Sequence, residues 1–304
     1  MDIVSFLTEF KSEYMIVGFI AYLILAPIIG CLLAGFDRKI SARMQGRVGP
    51  HILQPYWDVR KLLSKEDVSV NNVEGLYVTL ALVMAIVAGG IFFGGGNVLF
   101  SAFILTLGSM FFIVAAYSTR SPYAEMGANR ETLQVMAYEP MVLLFAVVFY
   151  MACGSFDSIA ILSIPVPVIG KSVLAFIGLL FILTIKLRKS PFDISMSHHA
   201  HQEIVRGVTT EMSGPTLAKV EIMHWYETVL FLGWVGMFFI WGNPASIVLA
   251  IVVALIVWFL EILIDNNFAR VKWQAMLKWA WIVALVCGGL NIAILNTLTV
   301  LGIL

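Results

Sequence analysis

Long apolar runs alternate with short polar stretches along the chain. Tyr14 to Phe36 carries no charged residue, and further apolar runs cover 76–93, 97–118, 133–153, 172–187, 222–241, 245–264 and 279–303. A helix needs about 20 apolar residues to cross the hydrocarbon core of a bilayer, so the pattern predicts eight transmembrane helices. Two runs are weaker: 172–187 is short, and 133–153 carries Glu139 near its start. Gly94-Gly95-Gly96-Asn97 and Gly242-Asn243-Pro244 read as tight turns dividing one run from the next.

One polar stretch has a helical pattern of its own. Between Pro50 and Lys65, residues Ile52, Leu53, Tyr56, Trp57, Val59, Leu62 and Leu63 recur near helical spacing, and Asp58, Arg60, Lys61 and Lys65 take much of the opposite side. Such a helix either lies in the lipid interface or walls a cavity between membrane and partner. The expected fold is all-α: a single polytopic domain over 1–304 with about eight transmembrane helices and one amphipathic interfacial helix.

Composition supports this. Hydrophobic residues make up 60% of the 304 positions and charged residues 12%, against about half and about one quarter in an ordinary soluble domain. A single soluble core of this length could not hide so much apolar side chain, and the same figures exclude disorder. The formal net charge is zero, which argues against nucleic-acid binding. Cys31, Cys153 and Cys287 are each alone in an apolar run, with no CxxC, so no zinc or iron–sulfur site of the chain's own is expected. The first residues carry Asp2, Glu9 and Glu13 rather than the basic start of a cleavable signal peptide.

The scarce charges are unevenly placed. All Lys and Arg except Lys11 and Lys171 fall in four stretches: 37–75, 119–132, 187–221 with Lys186 at its edge, and 265–278. With eight spans, these four lie on one side, which the positive-inside rule makes cytoplasmic. Both termini then face outside. The outer loops, Gly94–Asn97, 154–171 and Gly242–Pro244, leave no room for an external domain.

The inner stretches hold the candidate chemistry. Arg43 and Arg47, with Gly46, Gly49 and Pro50, suggest a tight basic turn that either anchors to the membrane face or docks an acidic or planar group. Arg120 and Arg130 flank a short polar loop leading to Glu139. A carboxylate inside a span costs on the order of 3 kcal/mol and is a functional candidate by default; at the interface it simply solvates. The third stretch carries Asp193, His198, His199, His201, Glu203 and Glu211. Span six opens with Glu221, His224 and Glu227, three apart and so roughly on one helical face. Carboxylates and histidines along one inner path are the usual material of a proton relay. Metal binding by the histidines, and a merely solvated turn, remain alternatives; no HExxH occurs. Glu261 and Asp265, one turn apart, are either interfacial charges or part of a site.

Together these loops resemble one family, the complex I subunit of the NuoH type and its relatives in membrane-bound energy-converting nickel–iron hydrogenases. The resemblance rests on three motifs. The first is Gly46-Arg47-Val48-Gly49-Pro50, followed by Leu53-Gln54-Pro55 and Lys61-Leu62-Leu63-Ser64-Lys65-Glu66. The second runs from Ser121-Pro122-Tyr123 through Arg130 to Tyr138-Glu139. The third is Ser190-Pro191-Phe192-Asp193, then Glu203-Ile204-Val205-Arg206-Gly207 and Thr210-Glu211-Met212-Ser213-Gly214. It covers most of the chain.

The run His198-His199-Ala200-His201-Gln202-Glu203 looks like that of Ech- and Mbh-type hydrogenases, where quinone-reducing members have a Glu-rich stretch. The family glutamate of span six aligns on His224, with Glu221 and Glu227 one turn to either side.

The resemblance implies a junction subunit in the cytoplasmic membrane of a prokaryote. It would carry no cofactor of its own. It would anchor peripheral hydrogenase large and small subunits holding a nickel–iron centre and 4Fe–4S clusters, and would abut antiporter-like membrane subunits. Glu139, Asp193, Glu203, Glu211, Glu221, His224 and Glu227 would relay protons. Arg43, Arg47, Arg120, Arg130, His198, His199 and His201 would dock the partner. The same resemblance admits a quinone-chamber subunit of a complex I-type dehydrogenase or the equivalent subunit of a sulfane sulfur reductase. A stand-alone ion transporter is the remaining alternative, although no internal repeat is present.

Overall fold

In a computed structural model the described residues are 3–68, 70–195 and 206–301, with side chains described outside 3–14, 72 and 163. These residues form α1 (Ile3–Met44), the short α2 (Gln54–Leu63), α3 (Asn72–Phe93), α4 (Val98–Ser118), α5 (Pro122–Cys153), α6 (Val173–Lys186), α7 (Gly214–Met237), α8 (Ala245–Asn267), α9 (Trp273–Val283) and α10 (Leu290–Val300). A π-helical turn, Ala284–Gly289, joins α9 to α10 without a break. Among the described residues no strand forms; Asn97 and Asp157 make an isolated bridge.

Eight long helical segments fall on the eight apolar runs, and α2 falls on the amphipathic stretch. α1, α3, α4, α5, α8 and the continuous segment 273–300 are long and apolar enough to cross a membrane. α6 is apolar but has only 14 residues. α7 is long enough at 24 residues but carries Lys219, Glu221 and Glu227. It packs against α1, α2, α3, α6 and α8, so its polar positions meet protein instead of lipid.

The helices outrun the apolar runs. α1 continues from Phe36 to Met44, so Arg38, Lys39 and Arg43 are helical. α5 begins at Pro122 instead of near 133, which turns most of the expected second polar loop into helix. α7 starts eight residues before 222, and α9 starts at Trp273. An apolar run marks where a helix lies in lipid, whereas its end is set by backbone chemistry. Gly46, at φ 69, follows α1; Pro122 occupies the first turn of α5; Gly154, at φ 75, closes it. Asn71 caps α3 by accepting from Glu74 N at 2.9 Å, and Asn97 caps α4 by accepting from Phe100 N at 3.0 Å.

The connections segregate into two ends, as the distribution of Lys and Arg required. At the outer end Val98 N donates to Phe156 O, Ser158 N to Gly96 O and Gly242 N to Ile164 O. At the inner end Asn71 Nδ2 donates to Ser118 O, Ser213 Oγ to Val68 O and Val271 N to Pro191 O. The turn 207–209 seats on Gly127 of α5, where a Cβ would stand 2.3 Å from Val208 N. This turn closes the inner end over the helices that carry the candidate residues.

Candidate functional site

The segment that leaves α6, Leu187–Ser195, runs across the inner end of the bundle and carries three kinds of charge into it. Arg188 stands at φ 51, a left-handed conformation unusual for a non-glycine residue. That turn directs its guanidinium inward. One nitrogen donates to Glu131 of α5 at 2.8 Å, and another contacts His224 Nε2 of α7. Arginine offers only donors, so Nε2 acts as acceptor there. The guanidinium also stands 5.4 Å from the Phe112 ring centroid. Burial works against the cation, but Glu131 and Glu227 outweigh it, so the Arg188 pKa is raised.

Lys189 turns the other way. Its ammonium pairs with Asp37 of α1 and, at 3.2 Å, with Asp265 of α8. Burial lowers its pKa, and the two carboxylates more than reverse this, leaving it raised. Ser190 N donates to Asp265 Oδ1 at 2.8 Å. Asp193 pairs with Arg270, and Gln134 Nε2 holds Phe192 O at 2.7 Å. Lys186, the last residue of α6, lies over the Tyr138 ring at 3.7 Å and near Phe231 at 5.3 Å. The segment thus ties together α1, α5, α7 and α8.

Around it lies a cavity of about 650 Å³ with a polar wall. Glu221, His224 and Glu227 all line it, together with Asp37, Lys186, Arg188, Lys189, Asp193, Asp265 and Arg270. The shared helical face of the three α7 residues therefore meets one space. Glu227 and Glu131 are buried and share the field of Arg188 and Lys186. In such a compensated set, adding or removing one charge shifts the balance at every other member.

The other candidates divide. Glu139 is half-buried within α5, close enough to act on Lys186. Glu211 lies apart from the cavity, beside Asp67 and the buried Glu74, whose carboxylate oxygens have no hydrogen-bond partner. Arg43, Arg47 and Arg120 are exposed on the inner face, as docking residues need to be. Arg130 is half-buried and reaches Ile194 O at 3.4 Å. Glu203, His198, His199 and His201 lie outside the described residues. Among the described residues no group of three or more His, Cys, Asp or Glu is placed to hold a metal.

Sequence reasoning passed over Glu131, Lys186, Arg188, Lys189 and Asp37 as site residues. Four of the five adjoin a run end, where charge reads as anchoring. Glu131 read as part of a polar loop.

An all-helical integral membrane protein with buried ionisable groups around an inner cavity defines a class, the membrane subunits that handle charge for a larger assembly. The chain belongs to the NADH dehydrogenase family, which matches residues 16–296. Hydrogenase-4 component C of Escherichia coli (strain K12) is 28% identical, covering 88% of this chain and 92% of that one. Formate hydrogenlyase subunit 4 of the same organism is 27% identical, covering 82% and 89%. A chain of the membrane-bound sulfane sulfur reductase, an archaeal respiratory membrane complex, shares the fold with a TM-score of 0.79 at 23% identity, covering 91% of this chain and 99% of that one. The protein is a membrane subunit of a complex I-like oxidoreductase.

Proposed function

We propose that the chain is the membrane anchor and coupling subunit of an energy-converting nickel–iron hydrogenase. Ferredoxin-driven proton reduction in a peripheral module would drive proton or sodium movement across the membrane. The observation that carries this reading is the compensated network of Glu131, Arg188, His224, Glu227 and Lys186 beside a polar cavity, deep among apolar helices. Charge arriving at the inner face has there a defined set of groups to disturb. The names of the two Escherichia coli relatives support the hydrogenase branch.

In this reading the inner face, with Arg43, Arg47 and Arg120 exposed, is cytoplasmic and docks the large and small subunits, and both termini face outside. Those subunits hold the nickel–iron centre and the 4Fe–4S clusters. Antiporter-like subunits adjoin in the bilayer. Asp193, Glu221, His224 and Glu227 line the entry, with Glu139 behind Lys186 and Glu211 and Glu203 on the flanking loop.

The test is ferredoxin-driven ion uptake by inverted vesicles holding the intact complex. Glu227→Gln is expected to lower uptake roughly tenfold or more, the scale of one positioned proton-transfer group. Wild-type uptake in both Glu227→Gln and Glu131→Gln overturns the relay. The family match favours a second reading, a subunit lining a quinone chamber. Inhibition by quinone-site ligands, without hydrogen evolution, selects it.

A further inference from the structure

Glu261 lies in α8, one helical turn before Asp265, and is 0% exposed. Both of its carboxylate oxygens are buried without a hydrogen-bond partner. A buried polar group in that condition is costly and needs an explanation. Its surroundings supply one. The charges acting on Glu261 are those of Lys189 and Asp265, and the Lys189 ammonium already lies between Asp37 and Asp265. A lysine has three donors on a flexible four-carbon stem. Four residues of helix advance about 6 Å, so a third carboxylate stands within one lysine movement of the two now in use.

Other charges face this region from every element packed against α8. They are Asp37 and Arg38 from α1, Glu221, His224 and Glu227 from α7, and Lys186 and Arg188 from the end of α6 and the segment after it. Arg38 is taken by Asp58, Arg270 by Asp193, and Arg188 and Lys186 act on Glu131 and Glu227. Lys189 is the cation left to answer Glu261.

We propose that Glu261 is a proton-binding site whose occupancy sets the position of Lys189. With a proton on Glu261, the ammonium stays between Asp37 and Asp265. When the proton leaves, the ammonium moves one turn deeper to the Glu261 carboxylate. The bond broken is the carboxyl O–H, and its proton passes to water in the cavity; no electron is transferred. Asp265 then loses its cation at Oδ2 but keeps the Ser190 N–H on Oδ1. The segment after α6 stays tethered while the charge on the cavity wall is redistributed. The switch rests on the relay reading above.

The test is a pH titration of the intact complex by infrared difference spectroscopy, which needs no turnover. A protonated-carboxyl band is expected in the wild type at low pH and is lost in Glu261→Gln. Asp265→Asn removes the competing carboxylate and shifts the band's disappearance to lower pH. Lys189→Met shifts it to higher pH, each by about one unit, a tenfold change in proton affinity. An unchanged band in Glu261→Gln, or an unmoved midpoint in both other variants, overturns the switch. Wild-type ion uptake in Glu227→Gln together with these shifts overturns the relay and leaves the switch standing.

Discussion

Two cavities of nearly equal size lie in the bundle, about 640 Å³ toward the outer end and about 650 Å³ at the inner end. The outer one is walled by Gly18, Phe92, Phe93, Gly233, Gly236 and Ala250, between α1, α3, α7 and α8. Its neighbourhood is held by close apolar packing: a Cβ on Gly18 would meet Phe93 O at 2.3 Å, and Tyr22 stacks on Phe93 at 5.1 Å. The inner one is walled by carboxylates, amines and guanidinium groups drawn from α1, α6, α7 and α8. The same helices therefore use shape complementarity at one end and ionic compensation at the other. Size does not mark the site; the chemistry of the wall does.

The contrast yields predictions in order of size. Arg188→Leu removes the cation shared by Glu131 and Glu227. It is expected to destabilise the subunit by about 3–5 kcal/mol, the usual cost of an uncompensated buried charge. Thermal unfolding of the purified complex measures this. Adding Glu131→Leu is expected to recover part of the loss, since the two side chains form one unit.

Lys189→Met breaks a pair whose carboxylates are partly exposed and is expected to cost about 1.5–3 kcal/mol. Because its folded pKa is raised, the stabilisation is fully present below the ordinary lysine value of roughly 10.4 and is lost as pH rises through the folded value. The gap between wild type and variant should stay constant through neutral pH and close only in strong alkali. A gap that closes near neutrality contradicts the pairing with Asp37 and Asp265.

Gly18→Ala, at the outer end, is expected to cost about 1–2 kcal/mol by overpacking. Unfolding midpoints taken at several pH values should show the same loss throughout. A pH-dependent loss would mean the two ends are not separate in kind.

Much of the architecture is legible in the sequence because membranes impose it. Eight apolar runs give eight helices, and the distribution of Lys and Arg sorts the connections into the two ends seen in the bundle. The spacing of Glu221, His224 and Glu227 brings all three to one cavity. What the sequence hides is partnership. Arg188 and Glu131 are 57 residues apart, Lys189 and Asp37 152 apart. Such pairs follow from which helix faces touch, which no local pattern encodes. Helix ends were also obscured: the polar start of α5 reads as a loop because hydropathy reports solvent, while Pro122 and Gly154 report backbone. The unusual φ of Arg188, which aims its side chain inward, has no signature in residue type.

The shortness of α6 has an electrical consequence. Fourteen residues make a helix of about 21 Å, against a hydrocarbon core of about 30 Å. The difference is taken up partly by the charged segment that follows it, beside a hydrated recess. Here the insulating layer is thinner than elsewhere in the protein, so the transmembrane voltage falls over a shorter path. A charge displaced at Lys189 or Glu227 thereby feels a steeper field than the same displacement would in an unbroken bilayer.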